Sequence, residues 1–325
     1  MRKKLTDSKA TYRAFCVTES SIPIFNRAWW LDATAGDDNW NVAIVERDGK
    51  VIAALPYVVK KKYGFTVLTQ PPLTQTLGPW LRESTAKYAN LLGQQKDLME
   101  ELIAQLPDFH HYVQNWHYSQ SNWLPFFWNN FKQTTKYTYV LPDLSNEKAL
   151  WEGLRENIRS DVRKASRRVN LRVQDDIDVK SFLALNRLVF TRQGRKLPYP
   201  ESLVERLDNA CAERNARKIF IAEDERGRMH AGVYLIWDEN SAYYLMGGSD
   251  PALRNSGAVS LCVWEAIKFA STVTKRFDFE GSMLESVERF FRAFGAQQIP
   301  YFAVFKTPSK ILKCFFFLRD MKLGK

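Results

Sequence analysis

Apolar segments and charged turns alternate regularly in the second half of the chain. Residues 218–223, 231–237 and 241–246 are short runs of β-branched, aliphatic and aromatic residues, separated by turns rich in Asp, Glu, Gly and Asn. Runs of this length between such turns are typical of strands joined as a meander. The pattern therefore predicts three consecutive antiparallel strands.

Helical periodicity surrounds this meander. Residues 256–272 place apolar side chains every three or four positions, as one face of a helix does. The second half as a whole predicts the element order β-α-α-β-β-β-α-β-α-β. Its other elements are helices at 179–195, 200–215 and 285–294 and strands at 275–280 and 299–305.

The first half of the chain repeats parts of this pattern. Residues 42–59 form a strand–turn–strand pattern around an Asp-Gly turn, and residues 219–237 form a similar pattern around a turn that contains Gly227. The aromatic residues Phe126 and Tyr137 recur with the same spacing as Phe290 and Tyr301. Self-similarity of this length predicts two copies of one α/β domain, at 1–145 and 146–325. Two unrelated α/β domains that share a hairpin pattern are the alternative.

A strongly basic helix is predicted at the junction, over residues 151–171. Arginines recur there at every fourth position, which places them on one face, and like charges at this spacing weaken an isolated helix. We therefore expect an anion against this face, and a solvated surface helix is the alternative. The candidate phosphate-binding residues are Arg159, Arg163, Lys164 and Arg167.

The composition is that of a globular protein and excludes a mostly disordered chain. The chain has 325 residues, 45% of them hydrophobic, and a net charge of +11. This surplus favours nucleic acid, phosphorylated substrates or an anionic membrane face as partners. The basic N-terminus lacks the apolar region of a secretory signal, and no apolar run approaches the roughly 20 residues of a membrane-spanning helix. We therefore expect a cytoplasmic protein. Its C-terminal segment 310–325, which alternates basic and apolar residues, would rest on anionic lipid or dock onto the second domain.

Metal and nucleophile motifs are not apparent in the sequence. The cysteines are far apart and form no C-x-x-C pair, the histidines have no acidic or cysteine cluster beside them, and no G-x-S-x-G segment occurs. We expect no metal site, no disulfide framework and no serine-hydrolase triad. The residues concerned are Cys16, Cys211, Cys262, Cys314, His110, His111 and His117.

Three segments, taken in order, resemble the Fem-type transferases of the GNAT superfamily and their BioF2-like acetyltransferase relatives. They read LRENIRSDVRKASRR, YYLMGGSDPALRNSGAVSL and FDFEGSMLESVERFFRAFGA, and the last ends in the pattern F-R-A-F-G at 291–295. The resemblance implies an α/β fold of two tandem GNAT-like domains, each a mixed central sheet flanked by helices. It also implies an acyltransferase, in which an amine attacks an activated acyl carbonyl without a permanently bound cofactor.

The resemblance further implies that the acceptor amine belongs to a cell-envelope precursor of the peptidoglycan type. The acyl donor would be aminoacyl-tRNA or acyl-CoA, and the partners would then include tRNA and a phosphorylated or lipid-linked precursor. An acyl-CoA-dependent N-acetyltransferase acting on a sugar or small amine is one alternative. A non-catalytic GNAT-like module that binds RNA or envelope components is another.

A degenerate donor loop favours aminoacyl-tRNA. In the acyl-CoA branch, a loop of the form [QR]-x-x-G-x-[GA] opens the helix after the meander, and its N–H groups bind the pyrophosphate. The nearest match makes Arg254, Gly257 and Ala258 candidate donor-binding residues. Val259 replaces the final small residue and would crowd a pyrophosphate. A plain helix start is the alternative.

Candidate reacting groups follow from strand alternation. Asp278 and Glu280 point to the same side of the predicted strand 275–280, so that either carboxylate could act as the base. An ion pair with the basic helix is the alternative. Tyr244 could protonate the leaving group, or be a core aromatic residue. Gly247 and Gly248 could let the strand bend so that an N–H group faces the acyl oxygen, or simply form a turn.

Two segments of the first domain mix Trp with Gly, Pro, Thr and Gln, as ligand-binding loops often do. They are residues 32–42 and 70–81. Trp40, Gln75 and Trp80 are the candidate acceptor-binding residues. A buried loop shaped by its prolines is the alternative.

Overall fold

The computed structural model describes residues 2–175, 177–192 and 194–322. These residues form two compact units, one of Met1–Lys136 with Pro300–Lys325 and one of Tyr137–Ile299. The units do not share the boundaries of the predicted domains, 1–145 and 146–325, which stay a prediction.

The described residues contain eleven α-helices and twelve strands. The helices are α1 (Arg2–Thr18), α2 (Ala28–Ala35), α3 (Tyr88–Ala104), α4 (Leu124–Trp128), α5 (Glu147–Gly153), α6 (Glu156–Arg167), α7 (Val179–Arg192), α8 (Glu201–Ala212), α9 (Ala258–Val273), α10 (Glu285–Arg292) and α11 (Lys310–Lys322). The strands are β1 (Trp40–Arg47), β2 (Lys50–Lys62), β3 (Phe65–Thr69), β4 (Trp80–Leu81), β5 (His111–Asn115), β6 (Lys132–Leu141), β7 (Arg172–Gln174), β8 (Arg217–Glu223), β9 (Met229–Trp237), β10 (Ala242–Ser249), β11 (Phe277–Asp278) and β12 (Gln297–Lys306).

The first unit is built on a mixed sheet with the strand order β1-β2-β3-β5-β12, and β4 pairs with β2. Strand alternation divides β1 between two cores. Val42 and Ile44 pack with α1 and α2, whereas Ala43 and Val45 pack with α3 and α4. Because both faces are covered, β1 and the middle of β2 are apolar without the alternation of a half-exposed strand.

The second unit is built on a sheet with the order β6-β11-β10-β9-β8-β7, in which only β10 and β11 are parallel. One face is covered by α6, α9 and α10 in a single large core. α7 lies against β9 and β10 on the sheet. The last strand of the chain therefore belongs to the first unit, and β6, from the first half of the sequence, provides the second unit's edge partner for β11.

The predicted element order of the second half is confirmed from β7 to β12. The predicted strand 275–280 was too long, because the chain leaves β11 after Asp278 and takes a left-handed backbone at Glu280 and Gly281. The predicted helix 151–171 was wrong at its start. The segment contains the end of α5 and then α6. The two helices are separate because the Arg155 N–H donates its hydrogen bond to the Ala293 carbonyl instead of to a carbonyl of α5.

No helix in the described part of the chain combines the length and the hydrophobicity needed to cross a bilayer. The cytoplasmic location stays a prediction.

We predict that Gly248→Ala destabilises the protein, because α7 crosses β10 at this residue. A Cβ here would lie 2.8 Å from Asn186 N and 2.9 Å from Leu185 C, which are backbone atoms that cannot turn away. The expected loss in the free energy of unfolding is about 1–3 kcal/mol, measured by urea denaturation.

Gly93→Ala is the matched control. Gly93 lies within α3, and a Cβ added to it would meet no other atom within 4 Å, so alanine there should stabilise the helix by roughly 0.5–1 kcal/mol. Equal effects of the two substitutions would contradict the close approach at Gly248.

Candidate functional site

Two parallel strands separate in the middle of the second unit. β10 and β11 pair only at Ala242↔Phe277 and Tyr243↔Asp278. Beyond these residues β10 continues along β9 to Ser249, with a β-bulge between Tyr244 and Met246. Every second N–H group of a strand points to each side, so the bulged part of β10 presents N–H groups to the gap left by β11.

Asp278 stands at the point of separation and is buried, with 3% of its surface exposed. Its Oδ1 accepts hydrogen bonds from the Thr138 hydroxyl on β6 and from the Glu280 N–H, the latter at 2.8 Å. Burial raises the pKa of Asp278 to about 6, although both hydrogen bonds oppose the shift. A carboxylate with this pKa can exchange a proton near neutral pH.

Glu280 is half-buried, but its Oε1 is shielded from solvent. Its φ of +58° is unusual for a residue with a side chain, and the following Gly281 has φ +63°. A Cβ on Gly281 would collide with the carbonyl of Tyr137 on β6, so this turn is held against the sheet. Burial, and then the charge of Asp278, raise the pKa of Glu280 well above its usual range. Glu280 is therefore harder to ionise than Asp278.

The predicted alternation is seen for residues 277–279, whereas Glu280 lies in the turn after the strand. Phe277 and Phe279 pack in the core, with ring centroids 4.9 Å apart, and Asp278 points away from them to Thr138. None of the described ion pairs involves Asp278, so the alternative of a salt bridge to the basic helix does not describe this carboxylate.

Tyr244 lies at the bulge, half-buried, with its ring 5.7 Å from that of Phe291. Its hydroxyl lies against Gly247, where a Cβ would collide with it. Burial raises the pKa of this hydroxyl, so it stays protonated at neutral pH. Gly247 also has its carbonyl bound by Asn186 Nδ2 at 2.7 Å. The glycines therefore allow two close contacts, one with Tyr244 and one, at Gly248, with α7.

The start of α9 is covered by α6. Gly257 is the N-cap of α9 with φ +80°, and a Cβ there would collide with the Asp161 carbonyl. The Asp161 carboxylate accepts a hydrogen bond from Ser260 at 3.4 Å, and Lys164 donates to the Asn255 carbonyl. Ala258 is buried and Arg254 is exposed on the 3₁₀-helix before it. Backbone and side-chain groups of α6 therefore lie beside the helix start at which the predicted loop would bind a pyrophosphate.

The four basic candidates on α6 do not form one row of side chains available to a ligand, because three of them already bind groups of the protein. Arg159 and Arg163 both pair with Glu156, at 2.9 and 3.2 Å. Arg163 also lies over the Trp151 ring at 5.7 Å. Arg167 is exposed near the C-terminal end of α6. Phosphate binding by these residues stays a prediction.

The three acceptor candidates belong to the first unit. Trp40 and Trp80 are buried, and their indole N–H groups donate to Asp32 at 2.8 Å and Ser21 at 3.1 Å. Gln75 is half-buried and its side chain donates to the Tyr301 hydroxyl at 3.4 Å. These are contacts of core side chains. The acceptor role stays a prediction.

The two segments predicted as ligand-binding loops, 32–42 and 70–81, are mostly in regular secondary structure or buried. Residues 32–42, predicted as a loop, include the end of α2 and the start of β1, and most of the loop 70–81 is buried. The alternative of a buried, proline-shaped loop describes residues 70–81.

Three residues of this site were missed by sequence reasoning. They are Thr138, which binds Asp278, Asn186, which binds Gly247, and Asp161, which covers α9. Each of the three lies far from its partner in the sequence. The sequence pattern around it predicts a helix or a strand but not the partner.

Comparisons with known proteins address the fold. Residues 153–292 match the family described as Acetyltransferase (GNAT) domain. Residues 153–292 form a GNAT acyltransferase domain. This GNAT domain includes α6, the separated strands and the carboxylate pair, and its match confirms the predicted acyltransferase class. The search among curated proteins gave no significant match.

Solved structures extend this likeness to the whole chain. The crystal structure of FemX is 15% identical, with 90% of this chain and 95% of that chain covered and a TM-score of 0.66. The C-terminal domain (DUF2156) of a putative lysylphosphatidylglycerol synthetase from Agrobacterium fabrum is 12% identical, with 92% of each chain covered and a TM-score of 0.54. A tandem GNAT protein from the clavulanic acid biosynthesis pathway is 10% identical, with 93% of this chain and 94% of that chain covered and a TM-score of 0.51. The predicted tandem GNAT fold and its Fem-type resemblance are confirmed.

We predict that Asp278→Asn makes the protein relatively more stable as the pH rises. The folded-state pKa of Asp278 lies above its unfolded value, so wild type loses stability between the unfolded pKa near 4 and the folded pKa of about 6. Asn keeps the Oδ1 acceptor and cannot ionise. The stability difference should move in favour of the variant by roughly 2–3 kcal/mol between pH 4 and pH 7.5, in urea denaturation at several pH values.

Asp178→Asn is the control with the opposite sign. Hydrogen bonds from the Ser181 N–H and hydroxyl hold the pKa of Asp178 below its usual value. Wild type should therefore gain stability over this variant as the pH rises through the acid range. A pH-independent difference for Asp278→Asn would contradict a raised pKa.

Proposed function

We propose that the protein is a Fem-type N-acyltransferase that transfers an aminoacyl group from aminoacyl-tRNA to an amine of a cell-envelope precursor. The observation that carries the proposal is the carboxylate pair Asp278–Glu280 at the gap between β10 and β11. It combines a proton acceptor near neutral pH with backbone N–H donors, and acyl transfer to an amine needs both.

The proposed reaction uses few protein groups. The acceptor amine loses a proton to the Asp278–Glu280 pair and its nitrogen attacks the ester carbonyl. N–H groups of the bulged β10 stabilise the negative charge that develops on the carbonyl oxygen. The bond from the acyl carbon to the ribose oxygen then breaks, and that oxygen takes up a proton. Tyr244 is the proposed donor of this proton, because its hydroxyl stays protonated at neutral pH.

The covered start of α9 supports tRNA over CoA as the donor. A pyrophosphate at this helix would lie close to the Asp161 carboxylate, which accepts a hydrogen bond from the Ser260 hydroxyl in the first turn of α9, and like charges repel. The net charge of +11 suits a polyanionic donor. The arginines of α6 are proposed to contribute phosphate contacts once a ligand competes with Glu156 for Arg159 and Arg163.

The envelope acceptor rests on the Fem-type resemblance. Two proteins of similar fold are FemX and a putative lysylphosphatidylglycerol synthetase, of which the C-terminal domain is compared. We propose that the acceptor is a phosphorylated or lipid-linked precursor of the peptidoglycan type.

An acyl-CoA-dependent N-acetyltransferase is the second candidate, favoured by the family description of residues 153–292. The two candidates differ in the donor. If Asp161 only shields the helix in the absence of ligand, CoA should still stabilise the protein.

We predict that charged tRNA, and neither CoA nor acetyl-CoA, raises the melting temperature. A ligand at one hundred times its Kd stabilises the folded state by about 2.7 kcal/mol, which a thermal shift detects. The same donors are then tested for transfer of a labelled acyl group to an amine-bearing envelope precursor. Stabilisation by CoA together with acetyl transfer would establish the second candidate instead.

Glu280→Gln tests the carboxylate pair in the same transfer assay. Loss of a general base should lower kcat/KM by about 10²–10⁴-fold while the donor still binds. Glu213→Gln, which changes an exposed carboxylate of the same unit, should leave transfer unchanged. Wild-type turnover by Glu280→Gln and by Asp278→Asn would exclude the pair as the base.

A further inference from the structure

Helix α11 in the first unit exposes its apolar side. Ile311, Phe315 and Leu318 follow one another at helical spacing, with Phe317 and Met321 in the row beside them, and all five side chains are between 53% and 69% exposed. We call these five residues the α11 outer face. A surface helix normally turns such residues to the core, and an exposed apolar patch on a folded unit marks an interaction site.

The opposite side of α11 holds it in place. Phe316 is half-buried, with its ring 4.9 Å from that of His111 on β5 and beneath the Arg319 guanidinium at 5.1 Å. His111 also bonds the Thr307 hydroxyl at 2.9 Å. Ser309, which precedes the helix, accepts from Lys313 N at 3.1 Å and donates its own N–H to the His110 carbonyl at 3.4 Å. The α11 outer face is therefore the side turned to solvent by a defined set of contacts.

A basic hairpin is tied to the same point of the first unit. The Thr66 N–H donates to His110 Nδ1 at 2.9 Å, and the His110 N–H donates to the Thr66 carbonyl at 2.8 Å. Thr66 is the second residue of β3, directly after the turn from β2. The last residues of β2, Lys60–Lys62, and Tyr63 in the turn are all exposed, and we call these four residues the lysine hairpin. His110 thus joins the lysine hairpin to the start of α11.

A basic pocket adjoins α11. It has a volume of about 340 Å³, and three of its lining residues are lysines: Lys132, Lys306 and Lys313. Phe305 and Phe316 form apolar parts of its wall. Burial lowers the pKa of Lys306, whose ammonium donates to the Asn129 carbonyl at 2.8 Å. Ammonium groups beside aromatic rings suit a phosphate that carries an apolar chain.

Exposed aromatic residues precede the pocket along the chain. Phe127 and Trp128 at the end of α4 are each 54% exposed, and Asn130, two residues on, lines the pocket. Aromatic side chains of this kind are enriched where proteins meet the polar region of a bilayer.

We propose that the α11 outer face, the lysine hairpin and the basic pocket form one surface that binds an anionic lipid bilayer. The apolar side chains would enter the interfacial region while the lysines approach the lipid phosphates. Charge favours an anionic bilayer over a second copy of the chain. Two copies associated through this surface would bring their lysines together, and like charges repel. Nucleic acid would satisfy the lysines but leave the five apolar side chains exposed. The inference does not use the transfer site.

Vesicle flotation tests the proposal with the full-length protein. The wild type should bind vesicles of phosphatidylcholine with about a third phosphatidylglycerol at least tenfold more tightly than pure phosphatidylcholine vesicles. Lys60→Gln/Lys61→Gln/Lys62→Gln should weaken binding to the anionic vesicles by at least tenfold, since each lysine near such a surface is worth about fivefold.

The apolar contribution needs its own variant. Ile311→Ser/Phe315→Ser/Leu318→Ser should also weaken binding by at least tenfold, and because these side chains are exposed its circular dichroism and melting temperature should match wild type. Val17→Ser/Tyr88→Ser is the matched control, since both residues are exposed and lie outside α11 and the hairpin. It should bind as wild type does.

Three outcomes would overturn the proposal. The first is anionic-vesicle binding that survives both triple variants. The second is a wild-type dimer, seen by analytical ultracentrifugation, that the α11 variant dissociates while vesicle binding persists. The third is loss of tRNA binding in the lysine variant with vesicle binding unchanged. Glu280→Gln should bind vesicles normally, so a failed transferase and a failed membrane surface are distinguishable.

Discussion

The hydrogen bonds to Asp278 Oδ1 hold together the part of the molecule on which the candidate chemistry depends. Thr138 supplies one from β6 and the Glu280 N–H supplies the other from the turn after β11. Together they keep a desolvated carboxylate in the sheet at the place where β10 and β11 part. Without them, burial alone would drive this group towards a permanently protonated form.

The beginning of α9 is the second part of the GNAT domain that bears on the candidate chemistry. Gly257 has a left-handed backbone, and a Cβ on it would collide with the Asp161 carbonyl of α6. A helix N-terminus attracts an anion, and here the Asp161 carboxylate accepts a hydrogen bond from the Ser260 hydroxyl in the first turn of α9. This contact is one of the observations behind the proposal of an aminoacyl-tRNA donor.

Much of the second unit could be predicted from the sequence because its signals are local. Strand runs, turn residues and helical spacing between β7 and β12 each lie within a few residues, and the direction of Asp278 follows from alternation on β11, whereas Glu280 lies in the turn after this strand. The predictions that failed concern element ends that depend on residues far away in the sequence. The break before α6 needs the Ala293 carbonyl, and the early end of β11 needs the turn that Gly281 makes against Tyr137.

The burial of side chains in the first unit could not be predicted from the local sequence pattern either. Trp40 and Trp80 lie in segments whose composition resembles a binding loop, yet their indoles are covered by α1 and its surroundings, through contacts with Tyr12 and Phe15. Only the tertiary structure distinguishes an aromatic residue that closes a core from one that presents a ring to a ligand.

The distribution of strands between the two units has a consequence for synthesis of the chain on the ribosome. β5 of the first unit has β12 as its neighbour, and β12 is translated about 180 residues later. In the second unit, by contrast, strand β6 is translated before the other strands of that unit. The unit that comes first in the sequence is therefore the last to be completed, and until then an edge of its sheet stays open to unwanted pairing.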